Sequence, residues 1–171
     1  FYSPYKAKSL IDFWRNWHIT LSNFLRDYLY IPLGGNKGKT KLKKHRNLIL
    51  TMVIGGIWHG AGFNFIIWGF IHGIGLTINH IFKNKNFIKL NTQISIFFTF
   101  LFVSITWIFF RSKSYGESID FLKQIIYFSD VKPYIYRIDN LVYWMPLALL
   151  SIIIIFIMPN SKEIADKYLK K

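Results

Sequence analysis

The stretch GGIWHGAGF, residues 55–63, sets an imidazole, His59, between glycines in a long uncharged run. Buried polar groups are costly unless partnered, and ionisable residues inside membranes are expensive and often functional. A neutral imidazole takes up a proton near pH 7, which is the chemistry of a general base. The flanking glycines leave room for a substrate chain beside the ring. The structural alternative is a core histidine bonded to a neighbouring helix, with Gly56 and Gly60 spaced for close helix packing. His18, in FWRNWHIT, is the second candidate, and its plain alternative is an interfacial histidine among tryptophans. His72 and His80 read as structural or interfacial. In an unbroken helix His72 falls on a different face from His59. His45 sits in a lysine run and is expected in solvent.

Other chemistries lack their residues. There is no cysteine, hence no thiol nucleophile and no disulfide framework. No HExxH, phosphate-binding glycine loop or nucleophile elbow occurs. The 8 acids are scattered and suggest no carboxylate pair. His18, His59 and His72 share no ligand spacing, so no metal site is expected.

The elements that position these residues follow from composition. Hydrophobic residues make up 52% of the 171, aromatics 19%, yet the net charge is +14. The basic residues cluster between apolar runs, the pattern of a membrane protein. A nucleic-acid binder would interleave them with exposed aromatics, so no nucleic-acid partner is expected. Three stretches lack Asp, Glu, Lys and Arg: Asn47–Phe82, Leu90–Phe110 and Asn140–Ser161. A spanning helix needs roughly 20 apolar residues, so residues 90–110 and 140–161 each read as one transmembrane helix. Residues 47–82 are too many: a straight helix of that length runs roughly 54 Å, against a hydrocarbon core of roughly 30 Å. This stretch must break, and Gly60-Ala61-Gly62 is the place, giving two shorter helices or a re-entrant pair near His59.

Loop charge orients the chain. KGKTKLKKHR carries six Lys/Arg and no acid, and Lys83–Lys89 three Lys and no acid. Both belong inside by the accumulation of Lys and Arg on the cytoplasmic side. The loop Arg111–Asp139, with five bases and four acids, then lies outside and the tail inside. Residues 1–36 place Leu10, Phe13, Trp14, Trp17, Leu21, Phe24, Leu25 and Tyr28 at helical spacing, interrupted by charges. One amphipathic helix at the surface or lining a cavity is expected, ended by Pro32 and Gly34-Gly35. SIDFLKQIIYF reads as another short amphipathic helix. The chain opens on Phe1 with no Met and no signal-peptide pattern. It is expected to be a C-terminal portion, with the N-terminal half absent, and inactive by itself.

DFWRNWHITLSNFLRDYLYIPLGGNKG, followed by NLILTMVIGGIWHGAGFNFIIWGFIHG, resembles the bacterial branch of the membrane-bound O-acyltransferase (MBOAT) family. That branch includes alginate O-acetyltransferases, peptidoglycan O-acetyltransferases and the D-alanyl transferases of teichoic acid. The resemblance covers residues 1–85 most closely. WIFFRSKSYGESIDFLKQI and the last apolar stretch follow more loosely. One position departs: the usual second arginine before the tryptophan-histidine pair is Asn16.

The resemblance implies an all-α polytopic membrane protein with broken or re-entrant helices and a central tunnel, of which residues 1–171 form the C-terminal portion of one domain. It implies His59 as the catalytic histidine and His18 as a second functional one, holding a substrate or orienting His59. Trp58, Arg26, Asp27, Tyr28 and Asn36 are expected along the substrate tunnel. The expected activity is acetyl transfer in the cytoplasmic (inner) membrane to an extracytoplasmic polysaccharide. Acetyl-CoA is the expected donor, with no bound cofactor and a periplasmic or membrane-anchored acetyltransferase as partner. D-alanyl transfer to a teichoic-type polymer is the alternative within the family. A proton-coupled transporter subunit is the alternative outside it.

Overall fold

The computed structural model describes residues 1–35, 40–85, 90–127 and 138–169. Every regular element among them is helical.

Gly60-Ala61-Gly62 divides the long uncharged stretch. Helix α3, Lys41–His59, begins at Thr40, whose Oγ1 accepts the Lys43 N–H, and stops at His59. Helix α4, Phe63–Lys85, runs back beside it. The two approach backbone to backbone. A Cβ on Gly56 would strike the Phe65 carbonyl, one on Gly69 the Met52 carbonyl, and one on Gly73 would come within 2.8 Å of Ile49 Cα. Glycines four apart on α4 therefore meet α3, the spacing of close-packed membrane helices.

Helix α5, Thr92–Arg111, packs along α4. Asn64 Nδ2 donates to Ser112 O at 2.6 Å, which sets the far end of α5 beside the Gly60–Gly62 turn. Helix α6, Tyr115–Tyr127, follows where SIDFLKQIIYF predicts it. Helix α7 is Ile138–Ile157, with Pro146 inside it, and α8 is Ser161–Leu169. Lys6 Nζ donates to Met158 O at 2.7 Å, and Asn160 Nδ2 to Ser3 Oγ at 3.0 Å, so the end of α7 is tied to the N-terminal segment.

Phe63–Lys83 and Thr92–Arg111 are long and apolar enough to cross a membrane. Met145–Ile157 is apolar but shorter.

The first 35 residues correct the sequence reading. A single helix is expected there. Instead α1, Leu10–Asn16, ends at Trp17, and α2, Ile19–Phe24, starts anew. Between them His18 has φ 37° and ψ 60°, a left-handed conformation that turns the chain. A π-helical turn, Leu25–Tyr30, follows α2. The apolar spacing runs straight through the break because both halves bury the same kind of side chain. Phe13 and Trp14 from α1 join Met52, Trp68, Leu76, Val103 and Phe109 in one core. Asn47 Nδ2 donates to Leu33 O at 2.7 Å and fastens the turn after Tyr30 onto α3.

Candidate active site

His72 anchors the ground on which the site stands. It is 1% exposed. Trp14 Nε1–H donates to its Nδ1 at 3.3 Å, and its Nε2 lies 2.9 Å from Thr106 Oγ1. Thr106 gives its own proton to Val103 O at 2.7 Å, so the second bond runs from His72 Nε2–H to the hydroxyl oxygen. His72 is the neutral Nε2–H tautomer, both nitrogens satisfied, joining α1, α4 and α5. These bonds fit a structural role.

His59 ends α3 at the glycine turn and is half-buried. Three aromatic rings surround it edge-on: Trp58 at 5.0 Å, Trp68 at 5.4 Å and Phe110 at 5.1 Å between centroids. Among the described residues neither ring nitrogen makes a hydrogen bond. The imidazole is thus oriented by packing while its nitrogens stay free for a substrate hydroxyl.

His18 stands within electrostatic reach of His59. Its Nδ1 accepts the Leu21 N–H at 3.3 Å and lies 3.4 Å from Thr20 Oγ1. Phe1 stands edge-on to its ring at 5.9 Å.

The remaining expected residues scatter. Trp58 covers one side of His59 and is itself 67% exposed. Tyr28 is 69% exposed and leans on Phe24 at 4.9 Å. Arg26 Nε and Nη2 donate to the two Asp27 oxygens at 2.8 and 3.0 Å. This hydrogen-bonded pair raises the guanidinium and holds the Asp27 carboxyl below its usual range. Arg26 also lines a cavity of about 480 Å³ with Arg15, Asn23, Tyr30, Met52 and His80. Neither His18 nor His59 is on its wall. Asn36 lies outside the described residues. His45 departs from expectation: it is half-buried, with Nδ1 shielded from solvent and unpartnered among the described residues. It lies near His80 because α3 turns this side toward the end of α4. Among the described residues no three His, Asp or Glu converge on a metal-sized point.

Trp68, Phe110, Trp14 and Thr106 complete the site and were missed by the sequence reading. One signal was available. Trp68 and His72 are four apart on α4, so they share a face, and the echo of GIWHG in GFIHG marks that turn of helix.

Residues 1–84 match the model of the membrane-bound O-acyltransferase family. They place the chain in that family. The match takes in both histidines of the site and ends with α4. The peptidoglycan O-acetyltransferase of Helicobacter pylori (strain ATCC 700392 / 26695) is 48% identical over 129 residues, 74% of this chain and 24% of that protein. The "Probable alginate O-acetylase AlgI" of Azotobacter vinelandii is 48% identical over 114 residues, 67% of this chain and 23% of that protein. The teichoic acid D-alanyltransferase of Bacillus subtilis (strain 168) is 30% identical over 128 residues, 67% and 32%. The chain thus spans about a quarter of the length of the first two. Membership in a membrane-bound family fits the two helices of crossing length.

Proposed function

We propose that this MBOAT chain carries the catalytic centre of an O-acetyltransferase acting on an extracytoplasmic polysaccharide of the alginate or peptidoglycan type, with His59 as general base. One observation carries the reading: a half-buried imidazole at a helix end, boxed by aromatic edges, with both nitrogens unpartnered among the described residues. The names of the H. pylori and A. vinelandii relatives supply the substrate class.

In the reaction His59 takes the proton of a glycan hydroxyl. The oxygen attacks the carbonyl carbon of an acetyl thioester, for which acetyl-CoA is the proposed donor. The tetrahedral intermediate collapses, the C–S bond breaks, and the imidazolium returns its proton to the departing thiolate. The protein is proposed as a multi-pass enzyme of the cytoplasmic membrane. Residues 1–36 shape its cytoplasmic side, residues 47–82 hold His59, and 90–110 and 140–161 are spans. The cavity beside Arg26 supports a donor approach from the basic end. A periplasmic or membrane-anchored acetyltransferase is proposed as its partner.

The test is transfer of labelled acetyl to envelope glycan in membranes carrying the parent or H59A. Loss of label with H59A at equal abundance supports the reading. A second reading, D-alanyl transfer, is favoured by the B. subtilis relative. It predicts that mild base releases D-alanine from the glycan in place of acetate.

A further inference from the structure

His18 has two features that are hard to reconcile with a second base. It is a non-glycine residue with φ 37°, held in the left-handed region where such residues are uncommon and which clusters at functional sites. And its Nδ1 faces its own backbone, accepting the Leu21 N–H at 3.3 Å with the Thr20 hydroxyl at 3.4 Å. A nitrogen that accepts an N–H carries no proton, so in the neutral ring the proton is on Nε2. Protonating the ring would set an N–H against the Leu21 N–H and break the turn between α1 and α2. The ring edge left over for a substrate is therefore an N–H donor. His59, the neighbouring imidazole, has neither nitrogen engaged among the described residues.

We infer that His18 is a hydrogen-bond donor to the reacting carbonyl oxygen, its tautomer fixed by the α1–α2 turn, while His59 alone moves the proton. This rests on the reading of His59 as base. As the hydroxyl oxygen adds to the carbonyl, the C=O π pair moves onto oxygen, and His18 Nε2–H stabilises that charge. His18 neither gains nor loses a proton over the cycle. The two imidazoles thereby take different roles because only one has its Nδ1 committed to the backbone. The same commitment explains why the chain accepts left-handed backbone at a histidine.

The experiment uses the protein in its native membrane. Asparagine tolerates left-handed backbone and can accept the Leu21 N–H, so H18N keeps the turn and removes the far-edge donor. Glutamine can extend an N–H toward the Nε2 position. We expect H18N to lower kcat by about 100-fold or more, the usual effect of losing one oxyanion donor. The KM should stay within about threefold, and the acid limb of the pH profile should persist, since that limb belongs to the base. H18Q should recover at least about tenfold over H18N. Loss of the acid limb in H18N would make His18 the base and overturn the inference. So would H18N activity within about threefold of the parent, or an H18Q no better than H18N. Nitrogen-15 spectra of histidine-labelled protein test the tautomer without turnover. A resonance absent from H18N should show a protonated Nε2 and a bare Nδ1 at neutral pH; the reverse, or an imidazolium, overturns the inference. The two readings fail separately. An active H59A defeats the base assignment and leaves the tautomer result standing, whereas a reversed tautomer with a dead H59A defeats only the role of His18.

Discussion

The rings of His59 and Trp68 meet at a right angle, their centroids 5.4 Å apart. Trp68 also stands 4.9 Å from His72 and 5.8 Å from Trp14. The proposed base is therefore oriented by an indole that is itself seated on the buried Trp14–His72–Thr106 chain. The orientation of His59 thus depends on packing between α1, α4 and α5.

Replacing His59 by alanine should lower acyl transfer by about a hundredfold to ten-thousandfold, the range for losing a positioned general base. Membrane abundance should not change, because His59 makes no hydrogen bond among the described residues. A variant keeping a tenth of parent activity at equal abundance would rule out the role. In the parent the base must be neutral, so the rate should fall once the pH is low enough to protonate the imidazole.

Much of this site was legible, and the reasons differ by residue. That residues 47–82 must break followed from their length, and the glycines of Gly60-Ala61-Gly62 marked the place. His59 and His18 stood out as candidates beside their glycine and tryptophan neighbours, and the family resemblance implied their roles. His72 was placed on a different face from His59, which holds for one straight helix; once the chain reverses at Gly60, Trp68 touches both. The interruption at His18 had no signature, because a left-handed histidine looks like any other in a sequence and the apolar spacing continues past it. His45 was masked by its lysine neighbours, whose charge says nothing about which face α3 turns inward.

Removing the donor or the acceptor of His72 should destabilise the fold before it touches catalysis. Trp14→Phe leaves Nδ1 of a buried imidazole without its N–H, and Thr106→Val leaves Nε2–H without an oxygen. An unmet buried polar group costs about 1–3 kcal/mol. Thermal unfolding in detergent should shift down for each. The double variant should lose less than the sum, since both act on one ring. Additive losses would mean the three residues are not one unit.

Arg26 and Asp27 separate stability from function. The hydrogen-bonded Arg26 holds the Asp27 carboxyl below its usual range, so any stability from the pair is present above the ordinary carboxylate range and fades as pH falls below it. Both side chains are about half exposed, and such pairs contribute little. Asp27→Asn should therefore leave the unfolding temperature at neutral pH unchanged. Arg26→Ala, which removes a cation from the cavity wall, should raise the KM for the acyl donor with kcat nearly intact. An unchanged KM would detach the cavity from the donor path.

Close packing of the α3–α4 pair should tolerate no added methyl at Gly69. The Cβ would meet the Met52 carbonyl and Val53 Cα, both backbone, so no side chain can swing aside. Gly69→Ala should cost about 1–3 kcal/mol and lower abundance. Gly62→Ala is the control, since its nearest neighbours are 3.5 Å or more away. Equal behaviour of the two would show that the helices can separate.

Orientation in the membrane can be read from three single cysteines. Lys44 and Lys83 both act electrostatically on His80, so the start of α3 and the end of α4 lie at one end of the helix pair. The bond from Asn64 to Ser112 sets the start of α4 and the end of α5 at the other. Asp120, on α6, follows that second end. Lys and Arg are retained on the cytoplasmic side, and the first end holds Lys43, Lys44 and Arg46 in the opening turns of α3. K44C and K83C should therefore resist an impermeant maleimide on intact cells, and D120C should react; all three should react after permeabilisation. Labelling of residue 44 or 83 but not 120 on intact cells would invert the protein. The acyl donor would then have to approach from the side of Arg111, away from the cavity beside Arg26.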